Sequence, residues 1–186
     1  MSFQVLVLCT GNICRSPAGE LLLQHGLGDS VTVRSAGTHA LVGNPIEPQM
    51  AALLPADIDT DGFAARQLGV RMLRDADLIL PMTRSHREVA LQEYPAALKR
   101  AFTFVEFARL LRLPELTATA ASPAEFLAEA VPMAAALRAG VRGTDPRADD
   151  VSDPYRRGDE AFRTAYADIH RATRAIADAA GVSRPA

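Results

Sequence analysis

Residues 8–17, LCTGNICRSP, hold side chains whose types and spacing can do chemistry. Both cysteines of the chain, Cys9 and Cys14, lie in this segment, and Arg15 directly follows the second. Two neighbouring thiols can be half of a metal site, a disulfide, a redox pair, or a nucleophile beside a bound anion. The rest of the sequence helps to choose among these interpretations.

The composition disfavours a metal site and a permanent disulfide. A zinc site needs about four ligands, usually Cys or His at set spacings, and the histidines, at positions 25, 39, 86 and 170, are scattered. The start of the chain lacks a basic segment before its apolar run, and no apolar stretch approaches the roughly 18 residues that span a membrane. We therefore expect a cytoplasmic protein with mostly reduced thiols, no metal ion and no cofactor.

The charge balance restricts the partners of the protein. A formal net charge of −2 gives no overall field that would attract nucleic acid or an anionic membrane surface. We expect neither as a partner, so any anion must be bound by a local group of donors.

The pattern of elements around the cysteines indicates an α/β fold. Residues 3–8, FQVLVL, are short, apolar and rich in β-branched side chains, which predicts a strand buried on both faces. Ser16-Pro17 predicts the start of a helix with Ser16 as its N-cap. Strands alternating with helices predict a parallel sheet, and the further strands are expected at 31–34, 76–82 and 101–105.

The C-terminal half is predicted to be mainly helical. Residues 110–148 are rich in alanine, Ser122 to Glu125 has the pattern of a capping box, and Pro132 is expected to kink or divide the helix. A polar, turn-rich loop follows at 143–159, and then an amphipathic helix over 159–180. The length of 186 residues fits a single domain over residues 1–186.

The surroundings of Cys9 favour the nucleophile interpretation. Cys9 follows the first strand, at the edge where open parallel sheets bind their ligands. Gly11 and Asn12 tolerate unusual backbone angles, so the loop can direct several N–H groups toward an anion at a helix N-terminus. Arg15 adds a planar, permanent positive charge. In that field a thiol loses its proton readily, and Ser16 can donate a hydrogen bond to the thiolate.

The string VLCTGNICRSP, with its Cys9-x5-Arg15-Ser16 pattern, resembles the phosphate loop of the low-molecular-weight protein tyrosine phosphatases. SAGTHA at 35–40, ARQL at 65–68, ADLILPM at 76–82 and DPY at 153–155 extend the resemblance over most of the chain except about 111–148. The resemblance implies a three-layer α/β/α fold with a central four-stranded parallel sheet, here with a helical insertion around 111–148. It also implies a metal-independent phosphatase that hydrolyses phosphotyrosine-type phosphomonoesters through a phosphocysteine.

The resemblance also assigns roles to particular residues. Cys9 is the expected nucleophile, and Asp153 of the Asp-Pro-Tyr turn is the expected general acid, with Asp145 ranked second. Tyr155 is expected to form a wall of the substrate pocket, or only to anchor the loop. Cys14 is expected either to form a protective disulfide with Cys9 under oxidation or only to pack. Phosphate or sulfate is expected to bind the loop through Thr10, Gly11, Asn12, Ile13, Cys14, Arg15 and Ser16.

Some positions depart from the family pattern. Phe63 and its neighbours lack the histidine that supports the loop in some members, and Leu41 and Val42 stand where an aromatic often lines the pocket. Asp149 and Asp150 are interpreted as turn formers or helix-flanking charges. The alternatives that remain are an arsenate reductase using an external thiol, a phosphoarginine phosphatase, and a non-catalytic phosphate-binding protein.

Overall fold

A parallel sheet forms the centre of the protein in the computed structural model, which describes residues 2–118, 120–141 and 147–182. Within these residues the sheet has three strands, in the order β2-β1-β3. The strands are β1 (Phe3–Cys9), β2 (Val31–Gly37) and β3 (Leu78–Pro81). β1 pairs in parallel with both neighbours. Helices pack on both faces of β1, as its continuous apolar run predicts.

Helices cover the two faces of the sheet and complete the three-layer α/β/α fold. Val5, Val7 and Cys9 belong to the same hydrophobic cluster as α1, α5, α6 and α7. Leu6 and Leu8 belong to a second cluster with α3, α4 and a 3-10 helix (Pro95–Arg100). The alternation of side chains along a strand produces this division. The helices are α1 (Arg15–Leu27), α2 (Pro48–Ala51), α3 (Val70–Asp75), α4 (Arg84–Glu93), α5 (Phe104–Leu110), α6 (Pro123–Leu137) and α7 (Asp159–Ala179).

Residues 101–105 do not form the expected fourth strand. Ala101 makes a single parallel bridge with Ile79. Thr103 then forms a capping box, in which its hydroxyl accepts from Glu106 N and the Glu106 carboxylate accepts from Thr103 N. This capping box starts α5 directly after the bridge, because it satisfies N–H groups that have no helical partner. The α/β fold class is therefore confirmed, with three strands instead of four in the described part of the chain.

Helix α6 supplies the helical part of the 111–148 segment. The Ser122 hydroxyl accepts from Glu125 N at 3.3 Å, which is one of the two hydrogen bonds of the predicted capping box, whereas the Glu125 carboxylate accepts from Ala121 N and not from Ser122 N. The helix continues through Pro132, so the expected division at this proline is wrong. Proline costs an interior helix about 3 kcal/mol, and burial of an apolar face offsets this cost. That face consists of Phe126, Leu127, Ala130, Val131 and Ala134.

Helix α7 has the amphipathic pattern that the sequence predicts. Phe162, Ile169 and Ile176 are buried on one face, and Gly181 follows the helix with a φ of 76°. Among the residues that the structure describes, no helix is long and apolar enough to cross a membrane.

Candidate active site

The loop of residues 9–16, here called the cysteine loop, connects the end of β1 to the start of α1. Asn12 has a φ of 55°, so it adopts the left-handed conformation that the sequence suggests, whereas Gly11 does not. The helix begins at Arg15 with Cys14 in the N-cap position, and not with Ser16 as expected. The Ser16 side chain has a different role, because its Oγ lies 2.9 Å from Cys9 Sγ. The two ends of the loop therefore meet at the sulphur.

The carbonyl groups of the cysteine loop are bound by the segment that follows β2. The carbonyls of Cys9, Thr10, Gly11 and Ile13 accept from the backbone N–H groups of residues 38, 39, 41 and 47 at 2.8–3.0 Å. A loop whose carbonyls are held on one side presents N–H groups on the other, as in anion-binding nests. The cysteine loop is therefore shaped to bind an anion with its backbone.

Gly37 allows this segment to approach the cysteine loop closely. A Cβ atom at position 37 would lie 2.4 Å from the carbonyl oxygen of Thr10. Gly37 also donates to Arg66 O at 2.9 Å and accepts from Leu68 N at 2.8 Å. The absence of a side chain at this position thus lets three segments of backbone meet beneath the loop.

A directional hydrogen-bond network surrounds the Cys9 thiol. Asn12 Nδ2 donates to Ser16 Oγ at 2.9 Å and to Ser35 Oγ at 2.7 Å. Because Ser16 Oγ accepts from Asn12, its own proton is available for Cys9 Sγ. Asn12 N also donates to the sulphur at 3.3 Å. The sulphur of Cys9 therefore accepts from two donors of the cysteine loop.

Glu20 and Arg66 support this network at the position where the family histidine is missing. Arg66 Nη2 donates to both carboxylate oxygens of Glu20, at 2.8 and 2.7 Å, and Ser35 Oγ donates to the same carboxylate. The backbone N of Arg66 donates to Asn12 Oδ1 at 2.8 Å, which sets the orientation of the amide. The groups that hold the Asn12 side chain are therefore the hydroxyls of Ser16 on α1 and Ser35 on β2, and the backbone N of Arg66 before α3.

Arg15 is buried, with 3% of its surface exposed, and its guanidinium faces the loop that precedes α7. Arg15 Nη1 donates to Val151 O at 3.1 Å, and Nη2 lies 3.0 Å from Asp153 Oδ2. The Nε of Arg15 is buried without a hydrogen-bond partner among the described residues. A buried, unpaired donor on a cation is costly, so this N–H is well suited to bind an oxyanion.

Asp153 is brought to the cysteine loop from the distant end of the chain. Its side chain is 45% exposed, and its Oδ1 accepts from Tyr155 N at 3.3 Å. Asp145, the second choice for a proton donor, lies outside the described residues. A cavity of about 200 Å³ brings together most of the expected site residues, and it is lined by Cys9, Thr10, Gly11, Ile13, Cys14, Arg15, His39, Leu41, Asp153 and Tyr155. Asn12 and Ser16 are fully buried and do not line it.

Cys14 differs from Cys9 in its surroundings. Burial raises the pKa of Cys14 to about 12, and the nearby Cys9, Glu47 and Asp153 contribute to the increase. Cys14 is therefore a neutral thiol at neutral pH. Both cysteines are free in the structure.

His86 is a site residue that the sequence analysis did not identify. Its Nε2 lies 2.9 Å from Thr10 Oγ1 and its Nδ1 lies 2.7 Å from Thr83 Oγ1. Burial, together with the positive charge of Arg15, lowers the pKa of His86 to about 4. The ring is therefore neutral at neutral pH and links α4 to the cysteine loop. No local pattern marks His86, because the contact depends on how α4 packs beside β1.

The arrangement combines a thiol surrounded by donors, a buried cation with a spare N–H, and a carboxylate across the cavity. These groups can hold a tetrahedral oxyanion, attack its central atom and move a proton to or from a leaving group. Among the described residues, no group of three or more His, Cys, Asp or Glu side chains is placed to hold a metal ion.

Comparison with known proteins identifies relatives with this fold. A family model described as low molecular weight phosphotyrosine protein phosphatase matches residues 4–115. The chain is 35% identical over 112 residues to the low molecular weight protein-tyrosine-phosphatase Wzb of Escherichia coli, covering 60% of this chain and 76% of that protein. It is 44% identical over 84 residues to Wzb of Salmonella typhi, covering 45% of this chain and 56% of the relative. The chain thus spans about half the length of the latter relative.

A solved structure agrees over nearly the whole chain. The structure of Vibrio vulnificus Wzb in complex with benzylphosphonate is 29% identical, has a TM-score of 0.68, and covers 96% of this chain and 99% of that one. The family match includes β1, the cysteine loop, β2 and β3, which together form the sheet and the floor of the cavity. The chain belongs to the low molecular weight phosphotyrosine protein phosphatase family.

Proposed function

We propose that the protein is a phosphatase that hydrolyses phosphotyrosine-type phosphomonoesters through a phosphocysteine at Cys9. The observation that carries this proposal is the meeting of Cys9, Arg15 and Asp153 at one cavity. A nucleophile, an anion-binding cation and a proton donor are the three groups that such a reaction needs.

The first step transfers the phosphoryl group to Cys9. The thiolate attacks phosphorus while the N–H groups of the cysteine loop and the guanidinium of Arg15 hold the three equatorial oxygens. The bond from phosphorus to the ester oxygen breaks, and Asp153 gives its proton to that oxygen.

The second step releases inorganic phosphate. Asp153, now a carboxylate, takes a proton from a water molecule that attacks the phosphocysteine, and the Cys9 thiolate leaves. Ser16 Oγ and Asn12 N stabilise the departing sulphur through the hydrogen bonds that they make to it in the structure. Positive charge comes from Arg15 and the backbone, so the proposed cycle uses no metal ion and no cofactor.

The cavity walls fit an aryl group bound to phosphate. Leu41 and Tyr155 line the cavity, and both are partly exposed at its mouth. Apolar and aromatic side chains at these positions can pack against the ring of a phosphotyrosine. The guanidinium of Arg156 lies 5.1 Å from the Tyr155 ring centroid. This contact supports the orientation of Tyr155 as the proposed wall.

Residues 1–186 are also proposed to act as one phosphatase domain in the cytoplasm. Helix α6, which lies outside the family match, shares a hydrophobic cluster with β1, α1 and α7. The free thiols of Cys9 and Cys14 suit a reducing compartment.

Trapping of the covalent intermediate tests the proposed function. Wild-type protein is mixed with p-nitrophenyl phosphate and quenched in acid, and peptide mass spectrometry locates the bound phosphoryl group. We expect a phosphate adduct on Cys9 and continued turnover in the presence of a metal chelator. Phosphotyrosine peptide, phosphoarginine, and arsenate with an external thiol are assayed in parallel.

Each alternative predicts a different result in these assays. Arsenate-dependent thiol consumption without ester hydrolysis would identify an arsenate reductase. Faster hydrolysis of phosphoarginine than of phosphotyrosine would change the substrate class. Phosphate binding without any turnover would identify a non-catalytic binding protein.

Cys14 is proposed to protect Cys9 from irreversible oxidation. Peroxide converts a thiolate to a sulfenic acid, which a nearby thiol can capture as a disulfide with loss of water. Cys14 is buried in the same cavity wall as Cys9. Its raised pKa leaves little Cys14 thiolate, so capture is expected to be slow relative to an exposed resolving cysteine.

The variant Cys14→Ser tests this protection. After a limited peroxide treatment, dithiothreitol should restore most activity to the wild type and much less to Cys14→Ser. The physical reason is that an unprotected sulfenic acid proceeds to sulfinic acid, which thiols do not reduce. Equal recovery in both proteins would leave Cys14 with a packing role only.

A further inference from the structure

The loop that carries Asp153 is attached to α5 through an aspartate that the proposed chemistry does not use. Arg109 Nε and Nη2 donate to Asp149 Oδ1 and Oδ2 at 3.1 and 2.8 Å. Both side chains are partly buried, with 35% and 20% of their surfaces exposed, and the hydrogen bonds from the carboxylate raise the pKa of Arg109. A bidentate pair of this kind restricts both the position and the rotation of the carboxylate.

A second attachment lies at the start of α4. The backbone N of Arg84 donates to Asp150 Oδ1 at 2.8 Å, and Arg84 Nε lies 3.7 Å from Asp150 Oδ2. The first N–H groups of a helix have no partner within the helix, and the helix dipole favours negative charge there. Asp150 thus occupies a position where a carboxylate is stabilised.

Val151 joins these attachments to the reacting groups. Val151 is fully buried, and its N donates to Met82 O at 2.8 Å. Its carbonyl accepts from Arg15 Nη1 at 3.1 Å. Two residues later, Asp153 Oδ2 lies 3.0 Å from Arg15 Nη2. The same short stretch of backbone therefore contacts the phosphate-binding cation and carries the proton donor.

We propose that Asp149 and Asp150 are positioning residues for phosphoryl transfer. By holding the backbone that leads into Val151, they orient the guanidinium of Arg15 and place Asp153 at the leaving oxygen. This inference rests on the proposed function, which it deepens. It gives a reaction-specific role to two carboxylates that the sequence presents as turn formers. Small displacements of a catalytic group lower reaction rates steeply, so the attachments contribute to rate without touching the substrate.

The variant Asp149→Asn tests the inference through its dependence on the leaving group. We expect kcat/KM to fall about tenfold for phenyl phosphate, which has a poor leaving group, and only about twofold for p-nitrophenyl phosphate. The tenfold loss is part of the roughly 10²–10⁴-fold that a general acid contributes. Arg109→Gln breaks the same pair from the other side, and it should lower kcat/KM for the two esters by the same two factors. Asp149→Glu keeps a carboxylate, so it should recover part of the kcat/KM that Asp149→Asn loses for phenyl phosphate.

Coupling with the proton donor separates positioning from a general structural role. In an Asp153→Ala background the general acid is already absent. Adding Asp149→Asn should then change kcat/KM for phenyl phosphate and for p-nitrophenyl phosphate by the same factor. Inhibition by inorganic phosphate should also weaken with Asp149→Asn, because Arg15, a charged donor to phosphate, is then less well oriented. A purely structural role would lower kcat/KM equally for both esters in either background.

Asp168→Asn is the matched control for the loss of a carboxylate. Asp168 lies on α7, pairs with Arg171 on the same helix, and lines a cavity with Arg109 and Asp150. This variant should leave the ratio of the two kcat/KM values unchanged. Thermal unfolding midpoints of all variants show whether any loss of activity follows from unfolding.

The outcomes distinguish this inference from the proposed function. If the wild type forms phosphocysteine and Asp153→Ala shows leaving-group dependence, but Asp149→Asn and Arg109→Gln do not, the inference is overturned and the proposed function stands. If the wild type forms no phosphocysteine and hydrolyses neither ester, the proposed function fails first and the inference fails with it.

Discussion

The variant Cys9→Ser is expected to lose p-nitrophenyl phosphate turnover by at least about 10⁴-fold, the scale on which loss of an enzyme's nucleophile acts. Serine is nearly isosteric, so it can keep the hydrogen bonds to Ser16 and Asn12 that the sulphur makes. A hydroxyl, however, is a weak nucleophile without a general base. Asp153 must act as an acid in the first step, so it cannot also activate the serine.

Binding measurements separate loss of chemistry from loss of the site in this variant. Inorganic phosphate should bind Cys9→Ser within a few-fold of the wild type, because Arg15 and the loop N–H groups are its donors. Cys14→Ser is the matched control, since it makes the same atomic change five residues later, and it should retain most turnover. Full activity in Cys9→Ser would contradict the phosphocysteine mechanism.

The second large effect is expected for Asp153→Ala. Here kcat/KM for phenyl phosphate should fall by about 10²–10³-fold, within the range that general acid catalysis contributes. The loss for p-nitrophenyl phosphate should be much smaller, because p-nitrophenolate leaves without a proton.

Asp159→Asn provides the control for a carboxylate near the same loop. Asp159 is the first residue of α7, and its Oδ1 accepts from Gln49 Nε2 at 2.6 Å. Its removal changes the local charge by the same amount, yet it should leave the leaving-group dependence unchanged. If Asp159→Asn reproduced the loss, local charge and not proton donation would explain the effect of Asp153→Ala.

Patterns within short segments of the sequence predicted three features of the structure correctly. They are the strand β1, the turn at Asn12 and the amphipathic helix α7. Each depends mainly on residues that are close together in the chain. The prediction of a fourth strand at 101–105 was wrong, and a local sequence pattern explains why. Thr103 and Glu106 have the spacing of a capping box, and this helix signal overrides the β-propensity of the apolar residues around it.

The side chains that support the cysteine loop could not be predicted from local patterns. The chain lacks the histidine that supports the loop in some family members, yet Arg66 Nη2 donates to both carboxylate oxygens of Glu20, and this pair holds the network. His86 contacts Thr10 across the sheet edge. These contacts join segments that are distant in the chain, and spacing within one segment carries no information about them.

The sequence by itself determined the family, the α/β class and the compact group from Cys9 to Ser16, because eleven contiguous residues carry the phosphate-loop pattern. The Asp-Pro-Tyr pattern also predicted Asp153 as the general acid. The tertiary structure brings Asp153 within 3.0 Å of Arg15 and shows which contacts hold its loop. Asp149 and Asp150 look alike in the sequence, and their separate partners on α5 and α4 exist only once the helices have packed. Packing sets such partners through long-range burial and geometry, which a linear pattern does not encode.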